Sequence, residues 1–253
     1  MKYLISFALR KIPRKYLQLI SHWGLKIVAL FYKGNNVECP ISGQTYRKFL
    51  PYGRKARENA LSPGSLSLER HRLMWLYLKN RTNFFTAKLK VLHIAPEYCF
   101  IDIFNKMENL DYITADLESP LAQVKMDIHK MPFNDNEFDV VFCNHVMEHV
   151  EDDLQSMREI RRVLKPGGWA IIQSPIEMDR TVTFEDKSLK TPKDREKVFG
   201  QDDHVRAYGR DYGQRLESAG FTVKVDKYNE ELDEATINRY ALPKYEDIFV
   251  CYK

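Results

Sequence analysis

The stretch that most constrains the fold runs over residues 124–176, where the apolar pattern changes from strand to helix and back. Phe138–Cys143 is a short apolar run, typical of a strand buried on both faces of a parallel sheet. Residues 152–164 have helical spacing, with acidic residues first and basic residues last, as a helix dipole favours. Lys165–Gly168 predicts a turn, and Trp169 begins the next strand. This order predicts a parallel sheet with right-handed crossovers.

The same stretch carries four motifs in a recognisable order. They are Asp127 with Pro132-Phe133, Phe138-Asp-Val-Val141, His145-Val-Met-Glu-His-Val150 and Arg162-Val-Leu-Lys-Pro-Gly-Gly168. In this combination, over residues 89–253, the sequence resembles the class I S-adenosylmethionine-dependent methyltransferases of the broad type 11 branch. The resemblance implies an α/β, Rossmann-like fold with a seven-stranded, mostly parallel sheet and helices on both faces. It also implies S-adenosyl-L-methionine as the cofactor.

The turn after the first strand, Lys90–Ala95, should bind the cofactor, because ligands of open α/β sheets lie at the carboxyl ends of strands. The family has a glycine-rich motif here, but this chain reads His93-Ile-Ala-Pro-Glu-Tyr-Cys99. Glycine lets a backbone approach its ligand closely. A cofactor without pyrophosphate, however, does not require a phosphate-binding loop. The resemblance places the cofactor at His93, Ala95, Pro96 and Glu97. Because Glu97 replaces a glycine of the family, its contact is our own expectation: its carboxylate would face the ammonium group of the cofactor.

Two further carboxylates follow the next strands. Asp116 ends the second strand about twenty residues after the turn, where dinucleotide-type folds place the carboxylate that accepts the ribose hydroxyls. We therefore predict Asp116 and Leu117 at the ribose; a surface aspartate at a strand end is the alternative. Asp127 matches the family position whose carboxylate accepts the adenine amino group, and Ile128 would supply the neighbouring backbone N–H.

The motif His145-Val-Met-Glu-His149 also fits H-x-x-E-H, an inverted zinc-protease signature. That signature requires a helix and a further ligand downstream, whereas this motif begins at the carboxyl end of a predicted strand. We therefore predict no metal site. The resemblance instead places Asn144 and His145 at the methionine end of the cofactor, while His149 either supports the turn or faces the acceptor.

Residues 177–203 are polar, charged and weakly periodic, and they lie where this family places acceptor-recognition elements. A loop of this length in a compact domain is usually functional or mobile. The motif that follows, Asp203-His-Val-Arg-Ala-Tyr208, also resembles the family. His204 is a candidate general base for a hydroxyl acceptor; alternatively, His204 and Arg206 brace a lid. His149 and His204 are thus the two predicted catalytic residues.

The N-terminal region has a different charge balance. Residues 1–90 carry 18 Lys and Arg against 3 acidic residues, whereas residues 91–253 carry 21 against 32. Residues 1–36 predict basic amphipathic helices with a break at Pro13. Such helices either lie on an anionic membrane surface or pack as a cap on the domain or on a partner.

Residues 37–67 contain Cys39-Pro-Ile-Ser42 and Ser62-Pro-Gly-Ser65, which are spaced like the two halves of a zinc ribbon. One thiol and three hydroxyls do not make a zinc site, so we predict a zinc-ribbon-like knuckle without metal. Two unrelated turns are the alternative. Residues 68–253 then form the methyltransferase domain, introduced by a helix over residues 66–82 with Arg72 on its solvent side.

The cysteines and the apolar runs of the sequence indicate in which cellular compartment the protein is located. The chain has 4 scattered cysteines, a number and spacing that favour a reducing compartment over a disulfide framework. We expect no cleavable signal peptide, because Arg10, Lys11 and Pro13 interrupt the first apolar run and no small-residue cleavage site follows it. We expect no membrane span, because no apolar run approaches the roughly 20 residues of a span. The predicted location is the cytoplasm, with peripheral contact at the inner face of the membrane through residues 1–33.

The sequence thus predicts methyl transfer from S-adenosylmethionine to an O or N nucleophile of a small-molecule, saccharide or lipid-linked acceptor. Two alternatives stay open. A basic N-terminal region that binds phosphates predicts an RNA methyltransferase, although no Asn/Asp-Pro-Pro-Tyr tetrapeptide follows the fourth strand, which makes nucleic acid the weaker partner. The absent glycines predict a non-catalytic, methyltransferase-like scaffold.

Overall fold

The computed structural model describes residues 24–25, 27–54 and 56–253, and these residues divide into two compact units. The first unit contains the described residues up to 85 together with 97–103 and 228–246; the second contains 86–96, 104–227 and 247–253. The helices predicted for residues 1–23 lie outside the described residues. The domain boundaries predicted from the sequence stay predictions.

The strands and helices alternate over most of the chain. The strands are β1 (Lys33–Glu38), β2 (Thr45–Tyr46), β3 (Leu50–Tyr52), β4 (Arg57–Leu61), β5 (Leu89–Ile94), β6 (Leu110–Asp116), β7 (Val124–Lys125), β8 (Phe138–Asn144), β9 (Leu164–Gln173), β10 (Phe184–Glu185), β11 (Arg206–Ala207), β12 (Thr222–Asp226) and β13 (Ile248–Tyr252). The helices are α1 (Glu69–Arg81), α2 (Tyr98–Phe104), α3 (Asp153–Val163), α4 (Pro192–Phe199), α5 (Tyr212–Ser218) and α6 (Glu234–Tyr240), and a 3-10 turn covers Tyr228–Glu231.

The second unit is built on a seven-stranded sheet with the order β12-β13-β9-β8-β5-β6-β7. The pairs between β9, β8, β5, β6 and β7 are parallel. Strand β13 is antiparallel to both of its neighbours, β12 and β9. The predicted Rossmann-like, mostly parallel sheet and its antiparallel last strand are therefore confirmed.

The centre of this sheet follows directly from the apolar pattern. In β8, every residue from Val140 to Asn144 is buried, as expected for a strand covered on both faces. Helix α3 begins after Asp152, whose side chain accepts a hydrogen bond from Gln155 N, and it buries Met157 and Ile160 in the core. Its ends agree with the prediction to within one residue.

The predicted turn at Lys165–Gly168 lies inside β9 as an irregularity. Phe138 pairs with Leu164, whereas Val140, two residues further along β8, already pairs with Trp169. The intervening residues are looped out, and Gly167 adopts a φ of 78°, a left-handed conformation that glycine tolerates.

The first unit contains the two short hairpins β1–β2 and β3–β4 together with α1 and α6. The prediction that Arg72 faces solvent is wrong, because this residue of α1 is fully buried. Its guanidinium donates hydrogen bonds to four carbonyl oxygens, those of Ala60, Ser67, Tyr240 and Ala241. A buried arginine is stable here because backbone acceptors from three segments satisfy its N–H groups.

The segment predicted as a knuckle brings its polar residues around Cys39. The Cys39 Sγ lies 3.1 Å from Ser65 Oγ and 3.3 Å from Ser67 Oγ. Burial raises the pKa of the Cys39 thiol, but hydrogen bonds from Ser65, Ser67 and Ser42 outweigh this effect and leave the pKa below its ordinary value. All four cysteines, which lie within the described residues, are in the thiol form and buried.

Little of the predicted N-terminal amphipathic region belongs to the described residues. Residues 27–31 are helical, and Ile27, Leu30 and Phe31 are exposed there. Within the part of the chain that the structure describes, no helix combines the length and the apolar character needed to cross a membrane.

Candidate active site

Three parallel strands of the second unit end at one edge of the sheet. Ile94 of β5 pairs with Ala115 of β6 on one side and with Cys143 of β8 on the other. The residues that follow these strands, Ala95 and His145, both have left-handed backbone, with φ of 50° and 55°. The turns after β5 and β8 therefore leave the sheet beside each other, at the edge where open parallel sheets bind ligands.

Ala95 stands at the first glycine position of the family's motif, and it adopts the sign of φ that glycine would favour. Its N–H donates to Ala115 O at 2.9 Å, which anchors the turn to the end of β6. The left-handed conformation costs a residue with a Cβ about 1–2 kcal/mol. Ala95 and the following Pro96 thus keep the position predicted for cofactor contacts without the glycine.

His93 lies differently from the other predicted cofactor residues. It is fully buried, its Nδ1 lies 2.7 Å from Tyr112 Oη, and its ring packs edge-on against Phe142. The imidazole therefore supports the interior of the sheet next to the edge and does not reach the surface there. Glu97 belongs to the first unit, where its carboxylate lies 3.8 Å from His71 Nε2.

Asp116 is held in a fixed orientation at the end of β6. Its Oδ1 accepts hydrogen bonds from the backbone N–H groups of Glu118 and Ser119, at 2.8 and 2.6 Å. The next residue, Leu117, is 65% exposed at the same strand end. An ordered carboxylate beside an exposed apolar side chain suits a ribose and the ring attached to it.

Asp127 lies two residues after β7 and is exposed. Hydrogen bonds from the backbone and then the ring of His129 hold the pKa of Asp127 below its ordinary value, so the carboxylate is ionised at neutral pH. Ile128 beside it is buried in the core. Because ionised carboxylates accept hydrogen bonds from hydroxyl and amino groups, Asp116 and Asp127 fit the adenosine part of S-adenosylmethionine.

Residues 145–149 form a bend and a turn after β8, not a helix, which agrees with the position predicted for the H-x-x-E-H motif. Glu148 is only 2% exposed in this turn. Its Oε2 accepts a hydrogen bond from Ser174 Oγ at 3.0 Å, and its Oε1 lies 3.3 Å from His145 Nδ1. Burial raises the pKa of Glu148, but the hydrogen bond and charge of His145 outweigh it and leave the pKa below its ordinary value.

The two predicted catalytic histidines come together although they are far apart in the sequence. The ring centroids of His149 and His204 are 4.7 Å apart. His149 Nε2 lies 4.0 Å from Glu148 Oε1. Burial first, and then the charge of His149, lower the pKa of His204, so its imidazole is neutral at neutral pH. A neutral imidazole has a lone pair that can accept a proton or bind an electrophile.

Arg206 braces the turn that carries Glu148 and His149. Its side chain is only 2% exposed, and it donates hydrogen bonds to three carbonyl oxygens of the turn. These are the oxygens of Met147 at 2.5 Å, Val150 at 2.5 Å and Glu151 at 2.9 Å. In addition, Val205 N donates to Glu148 O at 2.9 Å. Arg206 therefore braces this turn, whereas the sequence left open whether it braces a lid.

A second layer of buried charge supports the same region, and the sequence did not reveal it. Asp153 is 1% exposed and accepts hydrogen bonds from the Arg215 guanidinium at 2.6 and 2.8 Å and from Tyr208 Oη at 2.6 Å. Burial raises the pKa of Asp153, but these bonds and the charges of Arg206 and Arg215 lower it below its ordinary value. From sequence alone, an aspartate in a first helical turn only indicates a helix start.

The long polar segment predicted to recognise the acceptor contains β10, which pairs with β11, and helix α4. Thr191 caps α4 by accepting a hydrogen bond from Asp194 N, and Gly200 ends the helix with a φ of 79°. Four apolar side chains of this segment are exposed: Met178, Val182, Phe184 and Val198. The segment therefore has more exposed apolar surface than its polar composition indicates.

Comparison with known proteins covers the part of this site up to His149, whereas His204 and Arg206 lie beyond the matched residues. Residues 82–172 match the model of the family described as "Methyltransferase domain". This part of the chain is a methyltransferase domain. The resemblance stated from the motifs is thereby confirmed, and S-adenosylmethionine is the cofactor that this assignment implies.

Relatives with named acceptors match only part of the chain. A demethylmenaquinone methyltransferase of Chlorobaculum tepidum is 49% identical over 90 residues, which are 36% of this chain and 32% of the relative. A sterol 4-C-methyltransferase of Caenorhabditis elegans is 33% identical over 93 residues, 37% of this chain and 26% of the relative. The chain thus spans about a third or less of either relative.

Solved structures of methyltransferases also align with this chain, and one of them serves as an example. An S-adenosylmethionine-dependent methyltransferase from Archaeoglobus fulgidus aligns with 72% of this chain and 93% of its own, at 14% identity and a TM-score of 0.46.

Proposed function

We propose that the chain transfers a methyl group from S-adenosylmethionine to an O or N nucleophile of a small-molecule, saccharide or lipid-linked acceptor. The observation that carries this proposal is the pair of ordered carboxylates, Asp116 and Asp127, at the carboxyl edge of the sheet within the matched methyltransferase domain. When bound, S-adenosylmethionine supplies an electrophilic methyl group on a sulfonium.

The protein's own contribution to such a reaction is mainly positioning and exclusion of water. Asp116 would hold the ribose, and Asp127 would hold the adenine amino group. The turn at His145 begins directly after β8, so Glu148, His149 and His204 are linked to the same edge of the sheet. His149 and His204 would bind or deprotonate the acceptor there.

The acceptor class is supported by the exposed apolar side chains of residues 177–199. A sterol and a quinone precursor, named for the two relatives above, are largely apolar molecules. Met178, Val182 and Phe184 are exposed on this segment, as a surface for an apolar acceptor requires. Contact of residues 1–33 with the inner face of an anionic membrane is part of the same proposal, since lipid-linked acceptors reside there.

Calorimetric titration with S-adenosylmethionine and S-adenosylhomocysteine tests the proposal. We expect roughly micromolar binding by the wild type. Asp116→Ala should weaken it by about 100-fold or more, because hydrogen bonds to a charged group contribute about 1.5–3 kcal/mol each. Asp111→Ala is the matched control, since it removes an exposed carboxylate from the same strand, β6.

Two outcomes would contradict the proposal. The first is the absence of heat and of thermal stabilisation at millimolar cofactor, which would favour a scaffold function instead. The second is equal binding by the wild type and Asp116→Ala. Thermal unfolding of both variants shows whether a loss of binding reflects a loss of fold.

A further inference from the structure

The turn after β8 and His204, which lies two residues before β11, together form a group of metal-binding type. Glu148, His149 and His204 each present one ligand atom, and these atoms all lie within 4.8 Å of one another. Glu148 and His204 are buried, and His149 is partly exposed, so the group opens to solvent on one side. One carboxylate oxygen and two imidazole nitrogens form the donor set.

Two of these side chains, His149 and Glu148, have partners for the atoms that face away from the group. His149 Nδ1 lies 3.3 Å from the carbonyl oxygen of Asp203 and 3.5 Å from its carboxylate. This contact favours a proton on Nδ1 and leaves the lone pair on Nε2, towards Glu148. Glu148 Oε2 is bound by Ser174, which leaves Oε1 towards the histidines. Metal-binding histidines characteristically donate their second N–H to a carbonyl or carboxylate in this way.

The backbone around the group is also fixed before any ligand binds. Arg206 holds three carbonyl oxygens of the turn, and Val205 N binds Glu148 O, so the two chain segments that supply the ligands are joined directly. Preorganisation of this kind reduces the ordering cost of ion binding.

We propose that Glu148, His149 and His204 form a site for a divalent transition metal ion of the zinc type. Two imidazoles and one carboxylate suit zinc and its neighbours in the first transition series, whereas magnesium and calcium prefer oxygen ligands throughout. Three protein ligands leave at least one coordination position open, which is the arrangement of catalytic zinc sites.

This site differs from the protease signature that the sequence analysis rejected. The two histidines of that signature are neighbours on a helix, whereas residues 145–149 form a bend and a turn here. His145, one of the two histidines of that signature, lies outside the group of three, and Glu148 is itself a ligand together with His149 and His204. The rejection of a zinc hydrolase therefore stays as it is, while the prediction of no metal competes with this proposal.

The open position gives the metal a role at the candidate active site. This step rests on the proposed function, and in it the bound ion would activate the acceptor in place of His149 or His204 acting as a base. An acceptor hydroxyl bound at the metal would lose its proton to water at lower pH, because a bound cation stabilises the oxyanion that remains. The lone pair of that oxygen is then available as the nucleophile.

Titration of the full chain with Co²⁺, used as a spectroscopic substitute for Zn²⁺, tests the site without cofactor or acceptor. We expect one ion per chain with d–d absorption and no thiolate charge-transfer band. Glu148→Gln and His204→Ala should each weaken binding by more than about 100-fold, since loss of an outer partner alone costs about 10–100-fold. Ser174→Ala, which removes only the hydrogen bond from Ser174 Oγ to Glu148 Oε2, should fall in that smaller range.

Two matched controls separate this site from other donors. Glu217→Gln changes an exposed carboxylate of α5, and Cys39→Ser removes the thiol of the knuckle; neither should alter Co²⁺ binding. Absence of binding by the wild type, or equal binding by His204→Ala, would overturn the proposal. If His204→Ala is destabilised in a thermal melt, Ser174→Ala decides, and wild-type affinity in that variant would count against the site.

Calorimetry with S-adenosylmethionine on the same preparations separates this proposal from the proposed function. A wild type that binds cofactor but no Co²⁺ would lose only the metal site. A wild type that binds Co²⁺ but no cofactor would keep the metal site and lose the methyltransferase reaction.

Discussion

Two regions of this molecule bring together side chains of types that can bind a metal ion. They differ in how far those side chains complete one another's hydrogen bonding. Around Cys39, in the first unit, the neighbours are serine hydroxyls at 3.1 and 3.3 Å. Around Glu148, in the second unit, the neighbours are imidazoles at 3.3 and 4.0 Å. A hydroxyl both donates and accepts, so the serines complete the hydrogen bonding of Cys39 and of each other.

The difference shows that spacing alone does not make a metal site. The knuckle keeps the Cys-Pro-x-Cys spacing in two halves but has only one sulfur. The turn after β8 lacks the helix of its signature, yet it brings three nitrogen and oxygen ligands together with outer partners for two of them. Ligand chemistry and the partners behind the ligands decide which of the two regions is suited to an ion.

Restoring the missing sulfurs should remove the difference between the two regions and give the largest effect. The triple variant Ser42→Cys, Ser62→Cys and Ser65→Cys would complete four thiols with Cys39. We expect it to bind one additional zinc ion, with the roughly 10–16 kcal/mol typical of structural zinc sites. A thiolate charge-transfer band on Co²⁺ addition measures this directly. The double variant without Ser62→Cys is the control and should bind more weakly; no additional ion in the triple variant would contradict the knuckle geometry.

The next largest effect is expected where buried charge supports the turn after β8. Asp153→Asn removes one partner of a buried ion pair with Arg215, and we expect it to lower the free energy of unfolding by about 3–5 kcal/mol. Urea denaturation monitored by circular dichroism measures the change. Asp186→Asn, at an exposed carboxylate that contacts only Ser188 among the described hydrogen bonds, should leave the midpoint unchanged. Equal midpoints for the two variants would contradict the account.

The buried carboxylate of Asp153 should also make the stability of the fold depend on pH. The pKa of Asp153 in the folded chain lies below the ordinary value of 3.8, because its bonds to Arg215 and Tyr208 outweigh burial. A carboxyl with a depressed folded pKa stabilises the fold above its unfolded pKa and loses this contribution as pH falls through the folded value. The difference in urea midpoint between wild type and Asp153→Asn should therefore shrink below about pH 4. A difference that grows on acidification would show the opposite sign of shift.

The smallest expected effect concerns the turn after β5. Ala95→Gly removes a Cβ from a residue with a φ of 50°. The substitution should relieve about 1–2 kcal/mol of backbone strain, but glycine also has more entropy in the unfolded chain. We therefore expect the free energy of unfolding to rise by up to about 1 kcal/mol. Thermal unfolding measures it, with Ala87→Gly outside a strand or helix as control. A loss larger than that of the control would show that the Ala95 side chain itself is needed.

The fold was largely predictable because its signals are local. The apolar run of β8, the stripe of α3 and the glycines at 167 and 168 lie within one short stretch, and each determines its own element. The solvent-side placement of Arg72 failed for the opposite reason. Its acceptors include Tyr240 O and Ala241 O, which the helical pattern around residue 72 does not contain.

The residues of the candidate site also fall into two groups, those that local sequence predicts and those that depend on distant contacts. Asp116 could be placed from its position at a strand end. The approach of His204 to His149 depends on Arg206, whose carbonyl acceptors lie more than fifty residues earlier in the chain, and no local pattern reports such a contact. Ser174, which binds Glu148, and the buried Asp153 were missed because serine and aspartate are usually exposed, so the sequence did not indicate that these two are buried.

The central claim is that cofactor and acceptor chemistry share one edge of the sheet. The most direct measurement is the paramagnetic relaxation of the S-methyl protons of bound S-adenosylmethionine by Co²⁺ in the wild-type chain. We expect strong relaxation in the wild type and none in His204→Ala, with cofactor affinity retained in that variant. Binding of both cofactor and Co²⁺ to the wild type without any relaxation of the methyl signal would contradict a shared site.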